Sequence, residues 1–212
     1  MLINLSAKNP KPFIFIANTK TASTSIEDML GKYCHIKISR CGSAGLKHMS
    51  YSGVKKNFKF IFRNNKFSID RFYKFGVFRD PVDWTISWFN YRSREELSES
   101  KKTDKSKKYT GDISFDKFVD EVVQGKVITC QSKKFVDENS KNAMDFIIRY
   151  EYLEEDLANV IEMLNFPDEL KLPHQNKSDN IRIEKKDLST KTVAKLKNYF
   201  EDDYKFLDLL NN

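Results

Sequence analysis

The run from Phe13 to Leu30 constrains the chain most, because an apolar strand, a turn of small hydroxyl residues and an amphipathic helix follow one another without interruption. Phe13 to Ala17 are consecutive apolar residues, the pattern of a strand covered on both faces in a parallel sheet. Ile26, Met29, Leu30 and Tyr33 then fall at helical spacing. This predicts a helix beginning near Ser23 to Ser25, with a Ser or Thr N-cap and Glu27 and Asp28 in its first turn. A helix start at a strand's exit presents unpaired N–H groups and a partial positive charge, so the run reads as an anion cradle for phosphate or sulfate. Lys20 and the hydroxyls of Thr21, Ser23, Thr24 and Ser25 add donors to it. A nucleotide-triphosphate loop of the Gly-x-x-x-x-Gly-Lys-Ser/Thr kind needs glycines to wrap the phosphates. Gly31 is the first glycine in the chain, which disfavours an ordinary ATPase or kinase loop.

Beyond this run, strands and helices alternate. His35 to Ile38, Phe58 to Phe62, Phe75 to Phe78 and Asp145 to Tyr150 are strand candidates, and residues 1 to 12 read as a lead-in. Helices are expected over Leu46 to Val54, from Pro81 through Tyr91, over Phe115 to Gln124 with Gly125 as its stop, over Leu153 to Leu164 and over Thr190 to Phe200, with a helical turn or two at Lys66 to Tyr73. The segments Ser93 to Asp112 and Pro167 to Asp187 are polar enough to be loops, the first of them long and mobile. The order predicts a single α/β domain over residues 1–212, a three-layer P-loop-like fold whose central, mostly parallel sheet is flanked by helices. In such a sheet the ligand crevice lies at the carboxyl ends of the strands, where Lys20 and Arg79 both fall.

Composition narrows the partners. Lys and Arg number 37 against 30 Asp and Glu, a net charge of +7, which favours an anionic partner. The lysines are scattered and no nucleic-acid-reading motif is present, so a nucleic-acid partner is not expected. Cys34, Cys41 and Cys130 lack Cys-x-x-Cys spacing and read as reduced thiols, and no residue cluster suggests a metal. No apolar run approaches the ~20 residues that span a bilayer. The start lacks the basic and apolar regions of a secretory signal, so a cytoplasmic protein is the expectation.

Arg79 ends the Phe75 to Phe78 strand, and Ser87 lies two helical turns further on, which suggests a second anion site and a ligand with two separated anionic groups. Lys20-Thr21-Ala22-Ser23-Thr24-Ser25, followed by Phe78-Arg79-Asp80-Pro81 and Ser87, resembles the 5′-phosphosulfate and 3′-phosphate motifs of sulfotransferases that use 3′-phosphoadenosine 5′-phosphosulfate (PAPS). Ile148-Arg149-Tyr150-Glu151-Tyr152-Leu153-Glu154-Glu155-Asp156-Leu157 and Leu172-Pro173-His174-Gln175-Asn176 are similar to later motifs of the carbohydrate-modifying branch. Thr19 stands where that family usually has proline, Ala22 where it usually has glycine, and Trp84 where the branch often has arginine. Phe58 to Asn64 mimics the second motif, but Arg63 lacks both a following proline and a serine at the matching distance.

The resemblance implies PAPS as co-substrate, without a metal, and a hydroxyl acceptor, most plausibly on a sugar or glycan. It implies that Lys20 stabilises the leaving oxygen, that Thr21, Ala22, Ser23, Thr24 and Ser25 hold the 5′-phosphate, and that Arg79 and Ser87 hold the 3′-phosphate. A histidine suits the role of general base, and His48, in a Lys-His-x-Ser stretch similar to one in the carbohydrate branch, is the candidate. His35 is expected in or beside a strand and His174 at the rim of the acceptor or cofactor site, while Glu151 and Asp156 are expected to orient the strand and helix around them. Two other readings compete: a kinase acting on ATP, and a non-catalytic basic module that binds polyanions or nucleic acid. Oligomeric state and the identity of the acceptor are not encoded in any motif.

Overall fold

The computed structural model describes residues 1–6, 8–99, 109–173 and 181–210. In chain order its elements are β1 (Leu2–Asn4), β2 (Phe13–Ile16), α1 (Ser23–Leu30), β3 (Ile36–Lys37), α2 (Ala44–Lys47), α3 (Tyr51–Asn57), α4 (Lys59–Phe62), β4 (Tyr73–Phe78), α5 (Pro81–Arg92), α6 (Glu95–Glu99), α7 (Phe115–Val123), β5 (Phe146–Arg149), α8 (Leu153–Leu164), α9 (Thr190–Tyr199) and α10 (Glu201–Leu210). They divide into two compact units, Met1–Arg79 with Gln131–Gln175 and Asp80–Cys130 with Asn176–Asn212.

The first unit holds the sheet, in the order β3-β1-β2-β4-β5. β2 pairs in parallel with β4, and β4 in parallel with β5, while β1 runs antiparallel to both its neighbours. Every strand but β1 therefore points the same way, the mostly parallel α/β sheet that the alternation predicts. Residues two apart share a face. Phe13, Phe15, Phe75 and Val77 pack in one apolar cluster with Ile26 and Leu30 of α1 and with Leu157, Val160 and Leu164 of α8. Ile14, Ile16, Gly76 and Phe78 alternate with them and are all buried. At Gly76 an added Cβ would lie 2.3 Å from Cε1 of Phe135 and 3.1 Å from the carbonyl oxygen of Ile16, so close approach demands glycine there.

The second unit packs α5, α7 and α9 around Val82, Phe89, Phe118, Val122, Leu196 and Phe200. Asp80 caps α5: its carboxylate accepts from the backbone N–H groups of Val82 and Asp83, both at 3.1 Å, and Pro81 fills the first helical position as expected. Gly125, just after α7, has φ 71, the left-handed conformation of a helix stop.

Several expectations give way. The supposed lead-in contains β1, a fully buried strand that takes an interior position in the sheet. Phe58 to Phe62 is not a strand but a cap residue followed by α4; a short apolar run fits either period, and here the chain continues the helical course of α3. The helix expected over Leu46 to Val54 is broken at His48, and Ser50 caps a separate α3 by accepting from the N–H of Gly53 at 3.2 Å. The Ser93 to Asp112 loop begins with α6 and returns at Thr110, which is buried and bonded to the carbonyls of Phe89 and Arg92; residues 100–108 lie outside the described residues. His174 and Asn176 lie outside them as well.

Gly76→Ala is expected to drive a methyl into the Phe135 ring and lower stability by about 1–3 kcal/mol. A Gly76→Ala, Phe135→Leu double variant should recover part of the loss in urea melts, and additive losses would show that the Phe135 ring is not the obstacle.

Candidate active site

The turn between β2 and α1 is built on two left-handed residues, Lys20 (φ 59) and Ala22 (φ 53). For residues with a Cβ this backbone costs roughly 1–2 kcal/mol each. Alternation of left-handed and ordinary residues turns successive N–H groups to one side, the geometry of an anion-binding nest. Ala22 is also the N-cap of α1, and it offers no side-chain acceptor; the expected Ser or Thr cap is absent. The first intrahelical bond runs from Ile26 N to Ala22 O, which leaves the N–H groups of Ser23, Thr24 and Ser25 without helical partners. The hydroxyl of Thr21 turns inward to the carbonyl of Asn18 at 3.2 Å and closes the turn. Among the described residues, the hydroxyls of Ser23 and Ser25 make no hydrogen bond.

Arg79 leaves the end of β4, next to β2, and reaches this turn: its Nη1 donates to the carbonyl of Lys20 at 3.3 Å, and its guanidinium lies 4.2 Å over the ring of Tyr150. Its Nε is buried with no hydrogen-bond partner. A buried N–H without a partner is costly, so this donor is one that the protein itself leaves unsatisfied. Ser87, the other residue expected at a second anion site, is half-buried on α5 in the second unit.

Gln131, 1% exposed, fixes the turn to β4. Its side-chain oxygen accepts from Asn18 Nδ2 at 2.8 Å and from the backbone N–H of Arg79 at 3.4 Å, and its Nε2 donates to the carbonyl of Arg79 at 2.8 Å. Asn18 Oδ1 in turn accepts from the N–H of Thr19 at 2.8 Å. Neither Asn18 nor Gln131 carries a sequence signal that separates it from an ordinary polar loop residue. At the end of β5, Arg149 grips the buried Asp156 of α8 with two side-chain bonds, at 2.9 and 2.7 Å, so Asp156 orients strand and helix as expected.

His48 follows α2 directly. Its Nδ1 lies 3.1 Å from the carbonyl of Ala17, at the end of β2. A carbonyl can only accept, so Nδ1 carries the proton and Nε2 keeps its lone pair. Burial lowers the His48 pKa to about 4, with Lys47 and Lys134 pushing in the same direction and the Ala17 bond opposing. Lys134, itself held below the usual lysine range by burial, donates to the carbonyl of His48 at 2.7 Å. His35 accepts from the N–H of Leu5 just before β3, a structural position.

Glu27 is not a first-turn dipole partner. It is fully buried in α1, 2.6 Å from the ammonium of Met1 and 3.4 Å from Lys47 Nζ. Lys47 Nζ also donates to the Thr24 hydroxyl at 2.9 Å, so a buried carboxylate holds a cation against the helix start. Asp28 instead pairs with Arg40 at the surface.

Comparison with known proteins gives one match: the Sulfotransferase family model covers residues 8–209 of the chain. No curated protein and no solved structure shows significant similarity to it.

Ala22→Gly should leave stability unchanged or raise it by up to about 1 kcal/mol, because relief of the left-handed strain offsets the added freedom of the unfolded chain. A loss of about 1 kcal/mol in denaturant melts, the cost of glycine in an ordinary helix, would show that the residue is not left-handed. For His48, the native state stays neutral while the unfolded state protonates below about pH 6.5, so stability falls as pH drops from about 6.5 to about 4 and levels off below. The His48 ring resonances should titrate near pH 4, and a midpoint near 6.5 would show the ring to be solvated.

Proposed function

Because the chain belongs to the sulfotransferase family, we propose that it moves a sulfuryl group from PAPS to a hydroxyl group of a sugar or glycan. The observation that carries this reading is the left-handed Lys20–Ala22 turn at the start of α1, with the guanidinium of Arg79 bonded to it through Nη1 and its Nε left without a partner. It fits a donor with two anionic ends better than a triphosphate, since the chain offers two separate cationic groups and no glycine loop.

The N–H groups of Ser23, Thr24 and Ser25 bind the 5′-phosphate, and the Thr24 hydroxyl, held by Lys47, orients toward it. Arg79 takes the 3′-phosphate. The bound donor supplies an activated sulfuryl group, whose sulfur–oxygen bond to phosphate breaks as one to the acceptor oxygen forms. Lys20 would stabilise the charge left on the bridging oxygen. His48 Nε2 takes the proton of the acceptor hydroxyl, while the Ala17 carbonyl holds the ring in the required tautomer. Burial keeps the ring unprotonated at neutral pH, so that its lone pair is available. Positioning and electrostatics supply most of the rate, as in phosphoryl transfer.

Calorimetric titration with adenosine 3′,5′-bisphosphate tests this reading. We expect binding that weakens at least tenfold in Lys20→Ala and in Arg79→Ala, with none for ATP and magnesium. Binding of ATP alone would favour a kinase, and His48→Asn should abolish transfer while leaving bisphosphate affinity intact.

A further inference from the structure

Residues 55–67 carry a surface that the sulfotransferase reading does not use. Lys55, Lys56, Lys59, Arg63 and Lys66 alternate here with Phe58, Phe60, Ile61, Phe62 and Phe67, and no acidic residue interrupts them. The whole segment belongs to the first unit, as the end of α3, α4 and the following turn. Phe60 is 70% exposed, an aromatic ring turned to solvent on a four-residue helix. Its neighbour Phe58 stands 6.3 Å away, and Phe62 is held from behind by an edge contact with the buried Phe72 at 5.7 Å. Lys55 is paired with Glu138. Lys56, Lys59, Arg63 and Lys66 are exposed and have no carboxylate partner among the described residues. Asp70, also exposed, is the nearest acid along the chain on the C-terminal side.

We propose that this segment docks the protein on an anionic lipid surface, with Phe60 inserted at the headgroup level and Lys56, Lys59, Arg63 and Lys66 against the lipid phosphates. The combination selects this occupant. An exposed aromatic ring has a place at the interface between headgroups and acyl chains, and the exposed cations that flank it in the sequence have a counterpart in anionic headgroups. An acidic polymer would satisfy the cations and leave Phe60 in water. A second copy of the chain would satisfy Phe60 and bring like charges together. No helix of the described residues is long and apolar enough to cross a membrane, and the contact proposed here is a peripheral one. Each cation near such a surface contributes about fivefold in partitioning.

Co-flotation of the purified protein with vesicles tests the proposal, using phosphatidylcholine alone and phosphatidylcholine mixed with phosphatidylserine. The protein should float with the mixed vesicles, weakly or not at all with the neutral ones, and less as salt is raised. Phe60→Ser should cut the bound fraction severalfold. Lys59→Glu with Arg63→Glu should abolish it, removing two favourable contacts and adding two repulsive ones. Both variants keep the fold, checked by thermal unfolding, and keep bisphosphate binding, so a failure here is separable from a failure of the sulfotransferase reading. No flotation of the wild-type protein, flotation unchanged in both variants, or a solution dimer that Phe60→Ser dissolves would each overturn it.

Discussion

The side-chain amide of Gln131 is the interaction on which the candidate site depends. It is a single group that both accepts and donates, and it bonds the backbone of Arg79 on either side while holding Asn18. Those two residues lie just beyond the ends of the parallel neighbours β2 and β4. Parallel pairing alone leaves the loops at the strand ends free to choose their paths. The amide removes that freedom, so that Arg79 and the Lys20–Ala22 turn keep a fixed separation. Because the amide is buried, a substitution that removed it would leave one Nδ2 proton of Asn18 and the Arg79 backbone groups without these partners, a loss larger than the bonds themselves.

Burial also sets the chemistry of the neighbouring groups. Lys47 stays near the helix start because the carboxylate of Glu27, shut away from water, holds it there. His48 is kept neutral by the same exclusion of solvent, reinforced by two lysines. Lys47 and Lys134 thus stand among partly or fully buried groups beside the turn. Such surroundings favour an anionic ligand more strongly than the same charges would at an open surface.

Much of this was legible in the chain. Five apolar residues, small hydroxyls and a helical apolar stripe specify the strand, turn and helix of residues 13–30 because each signal is local. Arg79 and Asp80-Pro81 were equally readable, since a proline fixes where a helix starts. The cap at Ala22 was not, because a left-handed alanine carries no composition signal and persists only where surrounding contacts enforce it. β1 was missed for a related reason: three residues are too few to show a period, and their burial is decided by strands far along the chain. Phe58 to Phe62 misled in the opposite way, its alternation reflecting one exposed ring among half-buried ones and not a pleated strand. Gln131 is the clearest case, being an ordinary residue type whose role exists only through Asn18 and Arg79.

The strand order has a further consequence, for the sequence of events in folding. β1 meets β2 across a short stretch of chain, Leu2 opposite Phe15, whereas Phe15 meets Phe75 and Phe75 meets Phe146 only after long loops have closed. Loop closure makes such distant pairings the slow ones. During synthesis β5 and the nearby Gln131 emerge well after the turn they complete. The early antiparallel strands can thus assemble while the turn at Lys20 and Ala22 is still untied, and the bonds that hold Asn18 to Arg79 form only once Gln131 is in place. The left-handed turn is then a property of the finished first unit and not of residues 13–30 alone.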